Sequence, residues 1–82
     1  MKLEEKIAEG VKQGISRVFN KDVSEITRET RFVEDLRAKS VNIVALVALL
    51  ENEFGISISL MQARRRKTVG EAIDLIVSLR KG

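Results

Sequence analysis

The 82-residue sequence contains no cysteine, histidine, proline, tryptophan or tyrosine, and its aromatics are limited to Phe19, Phe32 and Phe54. Without cysteine there is neither a disulfide nor a thiolate metal site. Without histidine the commonest general base, the commonest metal ligand and the near-neutral pH switch are missing too. The composition argues against catalysis by this chain alone. So few aromatics also remove the stacking platforms of single-strand nucleic-acid binders. The uncharged run Val41–Leu50 covers ten residues, about half of a membrane-spanning helix. The opening Met1-Lys2-Leu3-Glu4-Glu5 mixes charges and leads into no apolar segment of the secretory kind. A soluble cytoplasmic protein is expected.

What is present suffices for one domain over residues 1–82: 44% of residues are hydrophobic, enough for a single core. At this size folding buries only about 60–65% of the unfolded surface, so the stability expected is modest. The charge is unevenly spread. Residues 1–35 hold seven Lys/Arg and eight Asp/Glu, and residues 36–82 hold eight and four, so the net charge of +3 belongs to the second half. A basic surface implies acidic partners: nucleic acid, anionic lipid or an acidic protein face.

Leu3, Ile7, Val11, Ile15, Val18 and Phe19 recur at steps of three and four, predicting a first amphipathic helix over residues 3–19. Gly10 and Gly14 weaken that helix by about 1 kcal/mol each relative to Ala, which points either to close approach of another element or to simple exposure. Residues 20–31 read as a long loop with one turn at most. Ser40, ahead of an apolar run, is the expected N-cap of a second helix reaching Phe54, with Gly55 as its stop. Ile43, Leu46, Val47, Leu50 and Phe54 form its core stripe, and Val41, Ala45, Ala48 and Asn52 its uncharged outer face. Ser59…Gln62 and Thr68…Glu71 match capping boxes for a short third helix over about residues 60–66 and a fourth through Ala72, Ile73, Ile76, Val77 and Leu79. Ile56–Ser59 alternates like a strand but has no partner strand, so it reads as an extended connector. The fold class expected is all-α, a small four-helix bundle.

The stretch Phe32-Val33-Glu34-Asp35-Leu36-Arg37-Ala38-Lys39-Ser40-Val41 resembles the acyl carrier proteins. Their signature Phe-x-Glu-Asp-Leu-Gly-Ala-Asp-Ser-Leu is matched at Phe, Glu, Asp, Leu, Ala and Ser. Val44-x-Leu46-Val47, Leu50-Glu51-x-Glu53-Phe54-Gly55-Ile56, Thr68-Val69-Gly70 and Ala72-Ile73-Asp74 are similar to that family as well. Register kept over about fifty residues is far more specific than one short motif. The resemblance implies a four-helix bundle of that type, with 4'-phosphopantetheine joined to Ser40 by a phosphodiester and an acyl group carried on its thiol. A chain without cysteine would import its thiol in this way, and a helix N-terminus suits a phosphate. The partners implied are a phosphopantetheinyl transferase and acyl-transferring or condensing enzymes of fatty acid, specialised lipid or polyketide synthesis, served by a monomer. Peptidyl or aminoacyl carriage is the alternative the residues leave open.

The departures are specific. Arg37 and Lys39 stand where the family carries Gly and Asp, Val41 replaces Leu, Asn42 and Ala45 replace acidic residues, and Arg66 takes the place of an apolar core residue. The normally acidic third-helix region here runs Arg64-Arg65-Arg66-Lys67. The partner surface implied is therefore Arg37, Lys39, Val41, Ala45, Ala48, Arg64 and Arg65. Leu60 and Met61 beside the basic run also suit an anionic membrane surface. Nucleic-acid binding is not expected, because the second helix is apolar outside and offers no base-reading array. Glu34 and Asp35 read as solvated acids, with transferase docking or a divalent cation as the second reading, and no metal site is expected. For Arg66 two arrangements stay open: a buried stem with the head reaching solvent, or a displaced third helix. Leu46, Val47, Leu50, Phe54, Ile58 and Ile73 are the candidate core and acyl-cavity residues.

Overall fold

The computed structural model describes residues 2–81. Four α-helices follow in chain order: α1, Leu3–Phe19; α2, Ser40–Phe54; α3, Leu60–Arg64; and α4, Val69–Lys81. A single 3₁₀ turn, Val23–Glu25, interrupts the long loop after α1. The core is built from Ile7, Val11 and Ile15 of α1, Leu46 and Leu50 of α2, and Val69, Ala72, Ile73 and Ile76 of α4. Ile26, Phe32 and Leu36 from the long loop, and Ile58 from the α2–α3 connector, close it. Val47 and Phe54, placed in the core by periodicity, are partly buried and pack against its edge.

Each glycine in α1 marks a close approach. A Cβ on Gly10 would stand 2.5 Å from the Phe54 ring tip, and one on Gly14 would stand 3.2 Å from Leu49 Cδ2, so α2 crosses α1 at the positions where side chains stop at hydrogen. The long loop is tied down by main chain: Phe32 N–H donates to Lys67 O (3.0 Å), Val69 N–H to Thr30 O (2.9 Å) and Gly70 N–H to Arg28 O (2.9 Å). This lacing binds the segment before α2 to the segment between α3 and α4. Leu36 and Ala38 then fold back onto Arg31 O and Phe32 O, and Arg37 reaches the turn in the left-handed region, φ 56°.

Two boundaries differ from the sequence-based expectation. Lys39, not Ser40, is the N-cap of α2, and Ser40 is its first helical residue. The reason is Asn42, whose side-chain oxygen accepts the Lys39 N–H (2.9 Å) and supplies the cap from inside the first turn. The third helix ends at Arg64 instead of Arg66, because there the amide bonds tighten to three-residue steps, Arg65 N–H to Gln62 O (3.2 Å) and Arg66 N–H to Ala63 O (3.1 Å), before Lys67 O pairs with Phe32 N–H. At the other predicted caps the hydroxyls act as expected: Ser59 Oγ accepts from Gln62 N–H (3.4 Å) and Thr68 Oγ1 from Glu71 N–H (3.2 Å). Glu71 reaches one residue further back than a standard box, to Lys67 N–H (2.9 Å). Gly55, φ 62°, ends α2, and Glu51 accepts the Ile58 N–H (2.7 Å), fixing the extended connector.

Candidate functional site

Ser40 sits at the head of α2 with an exposed side chain. As the first helical residue Ser40 stands past the capping position, which Lys39 occupies, so its hydroxyl does not hold the helix end. It lies on the wall of a cleft of about 210 Å³ between the head of α2 and the end of α3. The floor is apolar, from Phe32, Ala38, Ile43 and Ala63, and the rim is cationic, from Lys39, Arg64 and Arg66. A wider cleft of about 480 Å³ continues past Val33, Arg64 and Arg66 to Arg31, Lys67, Glu34 and Glu71. A separate groove of about 290 Å³, along Gly10 and Gly14, mixes charges of both signs and lies away from Ser40.

The acidic pair ahead of the site divides in role. Asp35 accepts the Arg31 N–H (2.8 Å) and pairs with its guanidinium (3.4 Å). These bonds, the backbone one first, hold its carboxyl below the ordinary carboxylate value. Asp35 therefore shapes the loop that delivers Ser40. Glu34 stays exposed, and among the described residues no group of acids is arranged to hold a metal ion. Of the two arrangements left open by its sequence position, the half-buried side chain of Arg66 agrees with the first, a stem along the protein with its head towards solvent. Arg66 follows α3 instead of belonging to it, its side chain is half-buried along the cleft, and its Nε–H donates to Gln62 O (3.2 Å).

Of the candidate surface residues, Lys39, Ser40 and Arg64 share the cleft. Arg65 joins Arg64, Leu60 and Met61 in a neighbouring patch. Val41 is 69% exposed and Val44 49%, and with exposed Ala45 and Ala48 they continue the apolar outer face of α2 beyond the cleft. Sequence reasoning missed Phe32, Ile43 and Ala63 as a floor beside Ser40. Their apolar character was visible, but the fold-back that groups them was not.

Residues 9–76 match the family model described as phosphopantetheine attachment site. The chain belongs to the acyl carrier proteins. It is 40% identical over 76 residues to the acyl carrier protein of Rickettsia canadensis, covering 93% of this chain and 88% of that one. It is also 40% identical over 75 residues to that of Lactobacillus acidophilus, covering 92% and 94%. Among solved structures it superposes on the acyl carrier protein from Enterococcus faecalis, described for its high thermal stability, with a TM-score of 0.77 and 36% identity over 93% of this chain and 96% of that one. Acyl carrier proteins carry 4'-phosphopantetheine covalently, and this chain has the all-helical fold and the carrier function of that family. The donor set beside Ser40 fits such a group, with cations for a phosphate and an apolar floor for an uncharged chain.

Proposed function

We propose that Ser40 is the residue that takes the phosphopantetheine arm, and that the chain works as a single, monomeric, non-catalytic carrier domain. The observation that carries this reading is an exposed hydroxyl on the first residue of α2, past the capping position held by Lys39, in a cleft rimmed by Lys39, Arg64 and Arg66. When attached, the arm supplies a terminal thiol that holds an acyl group as a thioester. The chain's own part is to present the Ser40 oxygen to a transferase, to offset the phosphate charge with the first turn of α2 and the rim cations, and to dock successive enzymes. The docking surface is the outer face of α2, Val41, Ala45 and Ala48, flanked by Arg37, Lys39, Arg64 and Arg65. Its partners are a phosphopantetheinyl transferase and acyl-transferring or condensing enzymes whose contact faces are acidic. The reading keeps the cytoplasmic location expected above; no described helix is long and apolar enough to cross a membrane.

Incubation with coenzyme A, Mg²⁺ and a broad-specificity phosphopantetheinyl transferase tests it by intact mass spectrometry. Wild type gains one phosphopantetheine and Ser40→Ala gains none. Addition to Ser40→Ala, or no addition to wild type with several transferases, overturns the assignment.

Exposed Leu60 and Met61 beside Arg64 and Arg65 favour one further contact, with an anionic membrane surface. Cosedimentation with vesicles containing anionic lipid, lost in Met61→Ser, is the expected result.

A further inference from the structure

We propose that Arg64 and Arg66 grip the phosphate of the arm and lay its root across the end of α3, a positioning role that rests on the reading of Ser40 as the attachment residue. The two arginines come from the last residue of α3 and from the loop after it, yet both line the cleft that holds Ser40. Neither has a carboxylate partner among the described residues: the ion pairs there join Arg28 to Asp74, Arg31 to Asp35 and Lys81 to Glu4. Lys39 on the same rim also forms no ion pair among the described residues. Glu34 and Glu71 of the adjoining cleft, and Asp74 beyond it, form no ion pair with either arginine; Glu71 accepts the Lys67 N–H and Asp74 pairs with Arg28. Three cations around one small cleft repel each other, and an anion placed among them relieves that repulsion.

The geometry suits a phosphodiester in particular. The bond from Arg66 Nε–H to Gln62 O fixes the plane of its guanidinium, while the terminal nitrogens keep their N–H groups for a forked contact with two phosphate oxygens. Next to the phosphate, pantetheine carries a branched carbon with two methyl groups, and below the rim lie Phe32, Ile43 and Ala63. Cations meet the charged end and hydrocarbon meets the methyls. The arm then leaves Ser40 towards α3 and not over the outer face of α2, which stays clear for a partner.

The test compares apo and phosphopantetheinylated protein, ¹⁵N-labelled, for wild type, Arg64→Gln/Arg66→Gln and Arg64→Lys/Arg66→Lys. In wild type, loading shifts the amide signals of Ala63–Arg66 as well as those at the head of α2, and the ³¹P line of the diester is broad. In the Gln variant the Ala63–Arg66 shifts fall about threefold or more and the ³¹P line narrows, because a charge-assisted contact has been removed. The Lys variant, keeping charge without the fork, recovers part of the effect, and raised salt weakens it in wild type. Loading shifts confined to residues near Ser40 in wild type, or unchanged in the Gln variant, overturn the proposal while leaving Ser40 as the attachment residue. Failure of wild type to load overturns the Ser40 assignment and this proposal together.

Discussion

Gly10 and Phe54 meet as bare backbone against ring tip, with 2.5 Å between the ring and the place a Cβ would take. In a helix interior Ala is better than Gly by about 1 kcal/mol, but at Gly10 the added methyl must push a half-buried ring by more than an ångström. Overpacking of that kind costs about 1–3 kcal/mol, so Gly10→Ala lowers the urea midpoint. At Gly14 the nearest atom is the Leu49 methyl at 3.2 Å, on a partly exposed side chain that can give way. Gly14→Ala therefore raises the midpoint. Opposite signs from two glycines four residues apart are the expected outcome, and equal effects would refute the packing argument.

Arg37 is held at φ 56° in the turn that delivers Ser40. A side chain in that region costs about 1–2 kcal/mol, of which glycine recovers part after its larger unfolded entropy is counted. Arg37→Gly is expected to stabilise the apo protein by about 0.5–1 kcal/mol. The same change removes a cation from the proposed docking rim, so association with an acidic partner slows while the fold gains. A loss of stability in thermal melts would mean that Arg37 makes contacts that outweigh its backbone strain.

Acid should weaken this protein in part through its hydrogen-bonded carboxylates. Asp35 is held low by Arg31, Asp22 by the Ser24 N–H and hydroxyl, and Glu4 by Lys81. A carboxyl whose folded value lies below its unfolded one binds protons more readily when unfolded, so its stabilising effect is complete above the ordinary carboxylate range and is lost as pH falls through the folded value. Melting temperatures are expected to be level from neutral pH down to the upper edge of that range and to drop below it. Asp35→Asn should flatten part of the drop, and an unchanged slope would show that this pair does not couple to folding.

The uncharged face of α2 gives a fourth prediction. Ala48→Glu places an acid on an exposed, apolar surface and should alter stability by no more than about 0.5 kcal/mol. Binding to a cognate acyl-transferring enzyme, measured by surface plasmon resonance on the loaded carrier, should weaken by about tenfold, because a like charge at an acidic interface is unfavourable. Unaltered binding, combined with steep salt dependence, would move the contact to Arg64 and Arg65.

The helices were legible because Ile7, Val11 and Ile15, or Leu46 and Leu50, repeat with the helical period, and because Ser59 and Thr68 announce their own caps. Gly10 and Gly14 left close approach and simple exposure equally open in the sequence, and only the fold decides for close approach, with Phe54 and Leu49 as the neighbours. The head of α2 was misread by one residue: a serine before an apolar run has the appearance of a cap, whereas Asn42 does the capping from within the helix. The pairing of residues 28–32 with 67–70 left no local trace, since main-chain hydrogen bonds between distant segments need no particular side chain. The cleft beside Ser40 depends on that pairing, so its floor and the half-buried course of Arg66 were hidden with it.

That same lacing separates shape from charge. The segments on either side of the cleft are joined through Phe32 N–H, Lys67 O, Thr30 O and Val69 N–H, atoms that every residue other than proline possesses. Side chains between these ties can therefore change sign without altering the spacing of the walls. A carrier with Arg64, Arg65 and Lys39 rewritten as acids should keep its frame and exchange one set of enzymes for another, making the rim a place where pathway allegiance can drift while the fold stands still.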